Sequence, residues 1–306
     1  MIKYIIRRTL VTVPLLLGIV FFTFTLMNLI PGNPIAVLLD EKINPEMVER
    51  LTRELHLNDP AYVKFFKYIQ GLLRGDMGKS IIMNQSVSKL IWDVFPNTIR
   101  LTLCSIAIAW LTGIPAGIIA ALKQGTVIDR IISFFSIAHI SIPSFFIGMA
   151  LQYIVAYKWN LLPISGFYSF KHIILPAFVL SMYLSGQITR LIRSNMLTVL
   201  NSDYVKTAIS KGQSGIKIII FHELRNCLLP VITIMLLQVT GLLGGAIITE
   251  SVFAIPGIGT LSISALTNRD MPLLQGTIIL STSLIIAGNL LADIICAFID
   301  PRIRAA

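Results

Sequence analysis

Charged residues and cysteines are scarce in this chain of 306 residues. Charged side chains make up 13% of it, whereas soluble domains carry about 25%. Hydrophobic residues make up 55%, and the mean hydropathy is +0.80. The three cysteines show no CxxC spacing, which argues against a disulfide framework or a cysteine metal site. The composition therefore excludes a soluble protein and predicts an integral membrane protein.

Six apolar runs are long enough to cross a bilayer core of about 30 Å at a rise of about 1.5 Å per residue. These predicted spans are Leu10–Ile30, Ile99–Leu122, Ile131–Tyr157, Ile173–Ile192, Leu229–Ile248 and Gln275–Phe298. The third run is over-long and contains Pro143, which predicts a kink or a tilted entry. The first run follows basic residues as a signal peptide does, but it is longer than a cleavable apolar region and lacks a small-residue cleavage site. We interpret it as a retained anchor.

The net charge of +10 is distributed among particular loops. Basic residues concentrate at both termini and in the second-to-third and fourth-to-fifth loops, so the positive-inside rule places these segments in the cytoplasm. The excess of basic over acidic residues therefore indicates the orientation in the membrane and not a nucleic-acid partner. The segment Pro31–Phe95 is then external. In it, Asn44-Pro45 and Asp59-Pro60 each place a capping residue before proline, which predicts short helices at the outer mouth.

The polar segment Asp203–Pro230 lies between two apolar runs and indicates two short helices joined at Gly212. The first helix has an apolar face formed by Tyr204, Val205, Ala208 and Ile209. Such a face in a basic loop indicates a surface onto which a cytoplasmic partner docks. The alternative is an interfacial helix that lies on the membrane.

This segment resembles the "EAA" loop of ABC importer permeases, in the branch that imports dipeptides, oligopeptides, nickel and related cargo. The matching residues are Tyr204–Ala208, Lys211-Gly212, His222–Asn226 and Leu229-Pro230. Lys206-Thr207-Ala208 stands where the general motif begins with an acidic residue, and the distance from Gly212 to Pro230 is longer than in that motif. Both departures are familiar in the peptide branch.

Further stretches resemble the same branch, so the similarity covers nearly the whole chain. They are Leu29–Pro34, Leu73–Ser80, Glu250–Phe253, Pro256–Gly259, Asn268–Asp270 and Asp300–Arg304. The resemblance implies an all-α, polytopic fold of six transmembrane helices, like a type I ABC importer permease. It divides the chain into residues 1–98, the first helix with the extracytoplasmic helical region, and residues 99–306, a five-helix core with a cytoplasmic coupling loop at 193–229.

The resemblance also implies partners and a location. A second, homologous permease shares the pathway, two ABC ATPase subunits bind ATP and Mg, and an extracytoplasmic binding protein delivers cargo. The chain would lie in the bacterial cytoplasmic (inner) membrane, surrounded by lipid, with both termini in the cytoplasm. No cofactor is expected in this chain, and it is not expected to be an enzyme. The residues predicted to couple to the ATPase are Asp203, Tyr204, Val205, Lys206, Thr207, Ala208, Ile209, Lys211 and Gly212.

The chain itself lacks the sequence features of an ATPase site. Gly78-Lys79-Ser80 resembles part of a phosphate-binding loop, but Leu73 stands where a Walker A motif has its first glycine. Peptides are the expected cargo, and nickel or metal chelates, glutathione and opines are alternatives. A self-contained secondary transporter would need paired interrupted helices or inverted repeats with ion-binding acids at midplane, but only Asp293 is a candidate and no repeat is visible. A membrane-embedded enzyme would need a cluster of catalytic side chains, which the spans lack.

A few polar residues in or near the spans are candidates for the pathway or a gate. Asp293, four residues after Asn289, lies within reach of basic residues near the inner ends of spans four and six. It predicts either a structural ion pair or hydrogen-bond network, or a pathway or gating role. Glu250 predicts a solvated helix end or a contact at the mouth. Arg190 and Arg193 are interpreted as snorkelling residues that set helix depth. The turn Pro256–Gly259 predicts either a re-entrant backbone at the pathway mouth or a surface loop.

Overall fold

The computed structural model describes residues 2–29, 59–200 and 225–299, together with Ser202, Val205, Thr207, Ser210 and Lys211. Within these residues the chain forms ten α-helices and one π-helical segment. The helices are α1 (Ile2–Leu29), α2 (Ala61–Leu73), α3 (Val87–Leu122), α4 (Val127–Ser141), α5 (Ser144–Leu151), α6 (Lys171–Leu200), α7 (Arg225–Leu243), α8 (Ile247–Val252), α9 (Ile258–Thr267) and α10 (Met271–Ile299). The π-helical segment, Gln152–Lys158, continues α5. The prediction of an all-α fold is confirmed.

Helix α6 forms the centre of the bundle. In its most apolar stretch, 61% of the residues are buried, compared with 11% in that of α1 and 17% in that of α10. Small residues let α3 approach it closely. A Cβ added to Gly113 would lie 2.9 Å from the carbonyl oxygen of Ser185, and one added to Gly117 would lie 2.8 Å from that of Thr189. These distances are shorter than van der Waals contact, so the two backbones can touch only because glycine occupies both positions.

The third predicted span is a bent pair of helices. Helix α4 ends at Ser141, α5 begins after Pro143, and the two are bent by 101°. Pro143 cannot donate a backbone hydrogen bond and disfavours helical geometry in the residue before it, so the break falls where the proline predicts it. The bend exceeds the kink expected from the sequence.

The described part of the chain contains four helices with the length and hydropathy of single spans, namely α1, α3, α6 and α10. The bent pair makes a fifth span if it crosses the membrane as one unit. Helix α7 corresponds to the predicted span Leu229–Ile248, but it ends at Leu243, and the chain turns at Gly245, whose φ is +110°. The predicted segment is thus divided between α7 and the start of α8.

Several helices extend beyond the apolar runs that predict them. Helix α3 begins at Val87, well before Ile99, because its first turns pack against α9 and α10. In the external region, α2 begins at Ala61 with Pro60 as its N-cap, one residue later than the prediction that Pro60 is the first helical residue. The Asp59 carboxylate does not cap it but pairs with Lys67 Nζ at 2.7 Å. The second predicted cap, Asn44-Pro45, lies outside the described residues.

Candidate functional site

Glu250, on the short helix α8, is fully buried. Its Oε1 accepts a hydrogen bond from Thr98 Oγ1 at 2.9 Å, and its Oε2 accepts from the backbone N–H of Gly259 at 2.8 Å and of Thr260 at 3.2 Å. Burial raises the pKa of the carboxyl above its usual range, and these hydrogen bonds act in the opposite direction. The prediction of a solvated helix end is wrong for Glu250, because the carboxylate instead caps the N-terminus of α9.

The turn Pro256–Gly259 wraps closely around this carboxylate. A Cβ added to Gly257 would lie 2.4 Å from Glu250 Cδ, and one added to Gly259 would lie 2.6 Å from the Cα of Ile247. Both glycines are buried, so the alternative of an ordinary surface loop is wrong. Glycine is needed at these positions because the turn and the carboxylate occupy the space of a side chain.

Asp270 is a second buried carboxylate, placed directly before α10. It accepts hydrogen bonds from the hydroxyl of Ser80 and from the backbone N–H groups of Ile81, Ile82 and Leu273, the last three at 3.2–3.3 Å. Asp270 therefore joins two stretches, Leu73–Ser80 and Asn268–Asp270, that are far apart in sequence. We call the end of the bundle that carries Ser80, Thr98, Glu250 and Asp270 the Glu250 end.

The opposite end of the bundle has a third buried carboxylate, Asp129, in the first turn of α4. Arg193 of α6 binds it with both arms of its guanidinium group, Nε to Oδ1 at 2.6 Å and Nη2 to Oδ2 at 2.8 Å. The backbone N–H of Gly125 donates to the same carboxylate at 3.0 Å. The prediction that Arg193 only snorkels is wrong, because it forms this ion pair, whereas Arg190 is exposed. Sequence reasoning missed Asp129, since nothing local indicates a partner so far along the chain.

Asp293 and Asn289 hold α10 against two other helices. Asp293 Oδ2 pairs with Arg8 Nη2 of α1 at 2.9 Å, and Thr240 Oγ1 of α7 donates to Asn289 Oδ1 at 3.1 Å. The predicted ion pair of Asp293 is confirmed, but its partner comes from the first helix and not from the inner ends of spans four and six. Asp293 is 22 residues into α10, about 33 Å from its start by helical rise, so it does not meet Glu250.

The predicted coupling residues are described in part. Val205 is 1% exposed and packs against Val199 of α6. It therefore does not belong to an exposed apolar face, and that part of the prediction is wrong. Thr207 and Lys211 are exposed, and the Lys211 N–H donates to the Thr207 carbonyl at 3.1 Å, as in a helical turn. The other predicted coupling residues lie outside the described residues; they are Asp203, Tyr204, Lys206, Ala208, Ile209 and Gly212.

A cavity of about 550 Å³ lies between α4, α5, α6 and α7. Its wall is mostly apolar, but three polar side chains form a hydrogen-bonded chain along it. Gln238 Nε2 donates to Gln187 Oε1 at 3.1 Å, and Gln187 Nε2 donates to the Tyr183 hydroxyl at 2.8 Å. These three residues are not among the sites predicted from the sequence. The available signal was the spacing of Tyr183 and Gln187, which places both on one face of α6.

Several helices of membrane-spanning length and hydropathy define a multi-pass membrane protein. The chain belongs to the family of binding-protein-dependent transport system inner membrane components. Residues 113–305 match this family, and residues 1–102 match the N-terminal family of the same membrane components. The protein is accordingly a permease of the ABC importer type in the bacterial inner membrane, as the sequence predicts.

Three relatives are similar over nearly their full length. The oligopeptide transport system permease protein AppB of Bacillus subtilis (strain 168) is 39% identical, over 99% of this chain and 100% of AppB. The dipeptide permease protein DppB of Escherichia coli (strain K12) is 36% identical over 99% of each chain. The oligopeptide permease protein OppB of Haemophilus influenzae (strain ATCC 51907 / DSM 11121 / KW20 / Rd) is 37% identical, over 99% of this chain and 100% of OppB.

The fold has a counterpart among solved structures. A chain of the MetNI methionine ABC transporter, in an inward-facing conformation, superposes with a TM-score of 0.59 over 69% of this chain and 96% of that chain. The sequence identity is 15%, so the likeness concerns the fold. The predicted fold class, that of a type I ABC importer permease, is confirmed.

Proposed function

We propose that this chain is the translocation subunit of an importer for dipeptides or oligopeptides. The observation that carries the proposal is similarity along the whole chain, at 36–39% identity, to permeases named for dipeptide or oligopeptide transport. Nickel or metal chelates, glutathione and opines are the alternative cargoes. The lining of the described cavity supports peptides, because it has no carboxylate, lysine or arginine, is mostly apolar and carries amide and hydroxyl groups.

The chain works in an assembly with a second, homologous permease, two ABC ATPase subunits and an extracytoplasmic binding protein. Cargo crosses between the two permeases by alternating access, driven by ATP and Mg bound to the ATPases. This chain carries no cofactor and catalyses no bond change. Family membership supports this assembly, because the matching family consists of membrane components of binding-protein-dependent transport systems.

The segment Asp203–Gly212 is proposed to couple this chain to the ATPase. Three of its residues support the assignment, because Val205 anchors the segment on α6 while Thr207 and Lys211 are exposed beside it. In this proposal Val205 positions the segment, and its exposed neighbours contact the ATPase. Gly212 supplies the sharp corner predicted from the sequence.

Both termini and the coupling segment are proposed to face the cytoplasm, with the Glu250 end outside. The test is labelling of single cysteines in intact cells with a membrane-impermeant maleimide, after replacement of the three native cysteines. Lys79→Cys, exposed at the Glu250 end, should react from outside, whereas Lys211→Cys should react only after permeabilisation. The reverse pattern would invert the orientation.

The proposed division of the chain places the first helix and the extracytoplasmic region in residues 1–98 and the permease core in residues 99–306. The boundary falls inside α3, so the two units share one continuous helix.

Glu250 is proposed to stabilise the outer mouth through its contacts with α3 and α9. Asn289 and Asp293 are proposed to act at a gate by holding α10 to α7 and α1 in one state.

The function is tested by reconstituting the complete importer in proteoliposomes with its binding protein. ATP should drive the accumulation of a radiolabelled dipeptide, and an ATPase variant that cannot hydrolyse ATP should abolish it. Nickel, glutathione and an opine serve as parallel cargoes under the same conditions. Accumulation of one of these without accumulation of peptides would replace the peptide assignment.

A further inference from the structure

We propose that the cavity between α4, α5, α6 and α7 binds the peptide backbone of cargo in transit, with Tyr183, Gln187 and Gln238 as the recognising groups. This inference rests on the proposed function, because it assumes that the cargo contains peptide bonds.

The size and charge of the cavity fit a short peptide. Its volume of about 550 Å³ falls within the range of about 300–1,000 Å³ typical of small-ligand pockets. Among the described residues that line it, none is an acid, a lysine or an arginine. His139 is the one histidine among these lining residues. A lining without carboxylates, lysines or arginines suits the peptide unit, which every peptide shares, and does not select one charged side chain. The apolar wall accommodates varied side chains, because the hydrophobic effect has no directional requirement.

The polar stripe offers both groups that a peptide unit needs. Gln238 is 8% exposed, and its Nε2 donates to Gln187 Oε1 and to the Leu184 carbonyl. Its Oε1 has no hydrogen-bond partner in the described structure. A buried acceptor without a donor is unfavourable, so an N–H group from a ligand would be stabilising there once the Gln238 amide turns its oxygen toward the cavity that this residue lines.

Tyr183 supplies the complementary group. Its hydroxyl accepts a hydrogen bond from Gln187 Nε2, which leaves its own O–H available for donation. The side chain is 44% exposed, so a ligand can reach it. The Gln238 amide oxygen and the Tyr183 hydroxyl thus provide one acceptor and one donor, joined by Gln187. A peptide unit has one N–H and one C=O, and matches this pair.

A lipid chain or a helix of the second permease is another possible occupant. An acyl chain cannot use the amide and hydroxyl groups, and it would leave Gln238 Oε1 without a donor. We therefore assign the site to peptide and treat the other occupants as outcomes of the labelling experiment below.

The first experiment compares matched variants in the complete importer with its binding protein. Gln238→Leu and Tyr183→Phe remove the proposed contacts. Gln275→Leu is the control for the glutamine, because Gln275 is also 8% exposed and also has an unpartnered amide atom, but lies outside the cavity. Tyr153→Phe is the control for Tyr183→Phe, because Tyr153 lies outside the cavity.

Dipeptide uptake per ATP hydrolysed should fall about fivefold or more in the two cavity variants, as expected for a lost hydrogen bond. ATP hydrolysis stimulated by the loaded binding protein should stay at the level of the controls, which shows that the variants fold and assemble. Equal transport efficiency in cavity and control variants would overturn the cavity assignment while the peptide function stands. Absence of dipeptide uptake by the unaltered importer would instead overturn the proposed cargo, and this inference with it.

The second experiment identifies the occupant. In a chain without the three native cysteines, Tyr183→Cys should react with a water-soluble maleimide, and reaction should slow when the loaded binding protein and ATP are added. No reaction in any nucleotide state would show that lipid or the second permease covers the site, and would overturn the assignment. Reaction at a rate that cargo does not change would also contradict it.

Discussion

Each buried carboxylate of the described structure has donors close around it. Glu250 is held by a hydroxyl and by backbone N–H groups, Asp270 by a similar set, and Asp129 by a guanidinium group and a backbone N–H. An isolated buried charge is strongly unfavourable, so such groups persist only when they are paired and hydrogen-bonded. At the residue scale, these carboxylates therefore connect segments that are distant in sequence.

Glu250→Leu should destabilise the protein by about 2–5 kcal/mol, because Thr98 and the backbone N–H groups of Gly259 and Thr260 would lose a buried acceptor. Glu250→Gln should have a smaller effect, because it keeps the shape and one acceptor oxygen. The matched control is Asp93→Leu, which removes an exposed carboxylate of α3. Thermal unfolding of the purified complex in detergent measures the difference. An equal loss in the Glu250 and Asp93 variants would show that the buried contacts contribute little.

Arg193→Met should lower the free energy of unfolding by about 3 kcal/mol. This is toward the lower end for breaking a buried ion pair, because the Arg193 side chain is 31% exposed. Arg193→Lys should cost less, since lysine keeps the charge but cannot form the two parallel hydrogen bonds. Adding Asp129→Asn to Arg193→Met should recover part of the loss, and a double-mutant cycle measures this coupling. Arg190→Met, on the same helix and exposed, is the control. Additive losses at positions 129 and 193 would contradict a stabilising pair.

At the scale of elements, small residues determine how the central helix packs. Gly113 and Gly117 bring α3 onto α6, and Gly186 of α6 brings α4 near, since a Cβ there would lie 2.7 Å from the Ser136 carbonyl oxygen. Small residues at such contacts let membrane helices approach closely, and packing then stabilises their association. The arrangement explains why α6 is the most buried of the candidate spans.

Gly117→Val should disrupt the α3–α6 contact, because the new side chain would overlap the Thr189 carbonyl and the Ile192 side chain. Overpacking of this kind costs about 1–3 kcal/mol, and it should lower both the yield of assembled complex and its unfolding temperature. Gly18→Val in α1 is the matched control, because nothing lies within 4 Å of a Cβ at that position. Similar unfolding temperatures for the two variants would show that the contact tolerates a larger residue.

The positions of the long helices could be predicted from apolar run lengths, and the break in the third span from Pro143. The start of α3 at Val87 could not be predicted from an apolar run, because the first turns of this helix include polar residues and are stabilised by packing against α9 and α10. The end of α7 at Leu243 also differs from the prediction, because the apolar run continues through the turn at Gly245 into α8.

The polar contacts were harder to predict than the helices. Asp129 pairs with Arg193 across 64 positions, and Ser80 meets Asp270 across 190. No local periodicity indicates contacts at such separations, since periodicity reports only which face of a helix is apolar. The Pro256–Gly259 turn was recognisable as special, but the carboxylate that it encloses became evident only from the fold. The cavity likewise depends on how α6 and α7 are placed side by side.

On the scale of the whole molecule, the peripheral helices leave much apolar surface uncovered. Helix α1 exposes Leu10, Val11 and Phe22 at 61–65%, and most of α10 is also unburied within this chain. Lipid covers part of such surface in a membrane, and a second permease is the partner that family membership suggests for the rest. The Arg8–Asp293 pair ties α1 to α10, so these two helices form one continuous outer side of the subunit.

The purified chain alone should bind no ATP and transport nothing. Its sequence has no Walker A motif, its proposed coupling segment requires an ATPase to act on, and its proposed cargo site forms only part of a pathway shared with another permease. Reconstitution in liposomes should therefore give ATP-driven uptake only when the second permease, two ATPase subunits and the binding protein are present. The control is the same liposomes with an imposed proton or sodium gradient and no ATPase, which should accumulate no cargo. Gradient-driven accumulation by the single chain would contradict the importer assignment and support a self-contained secondary transporter.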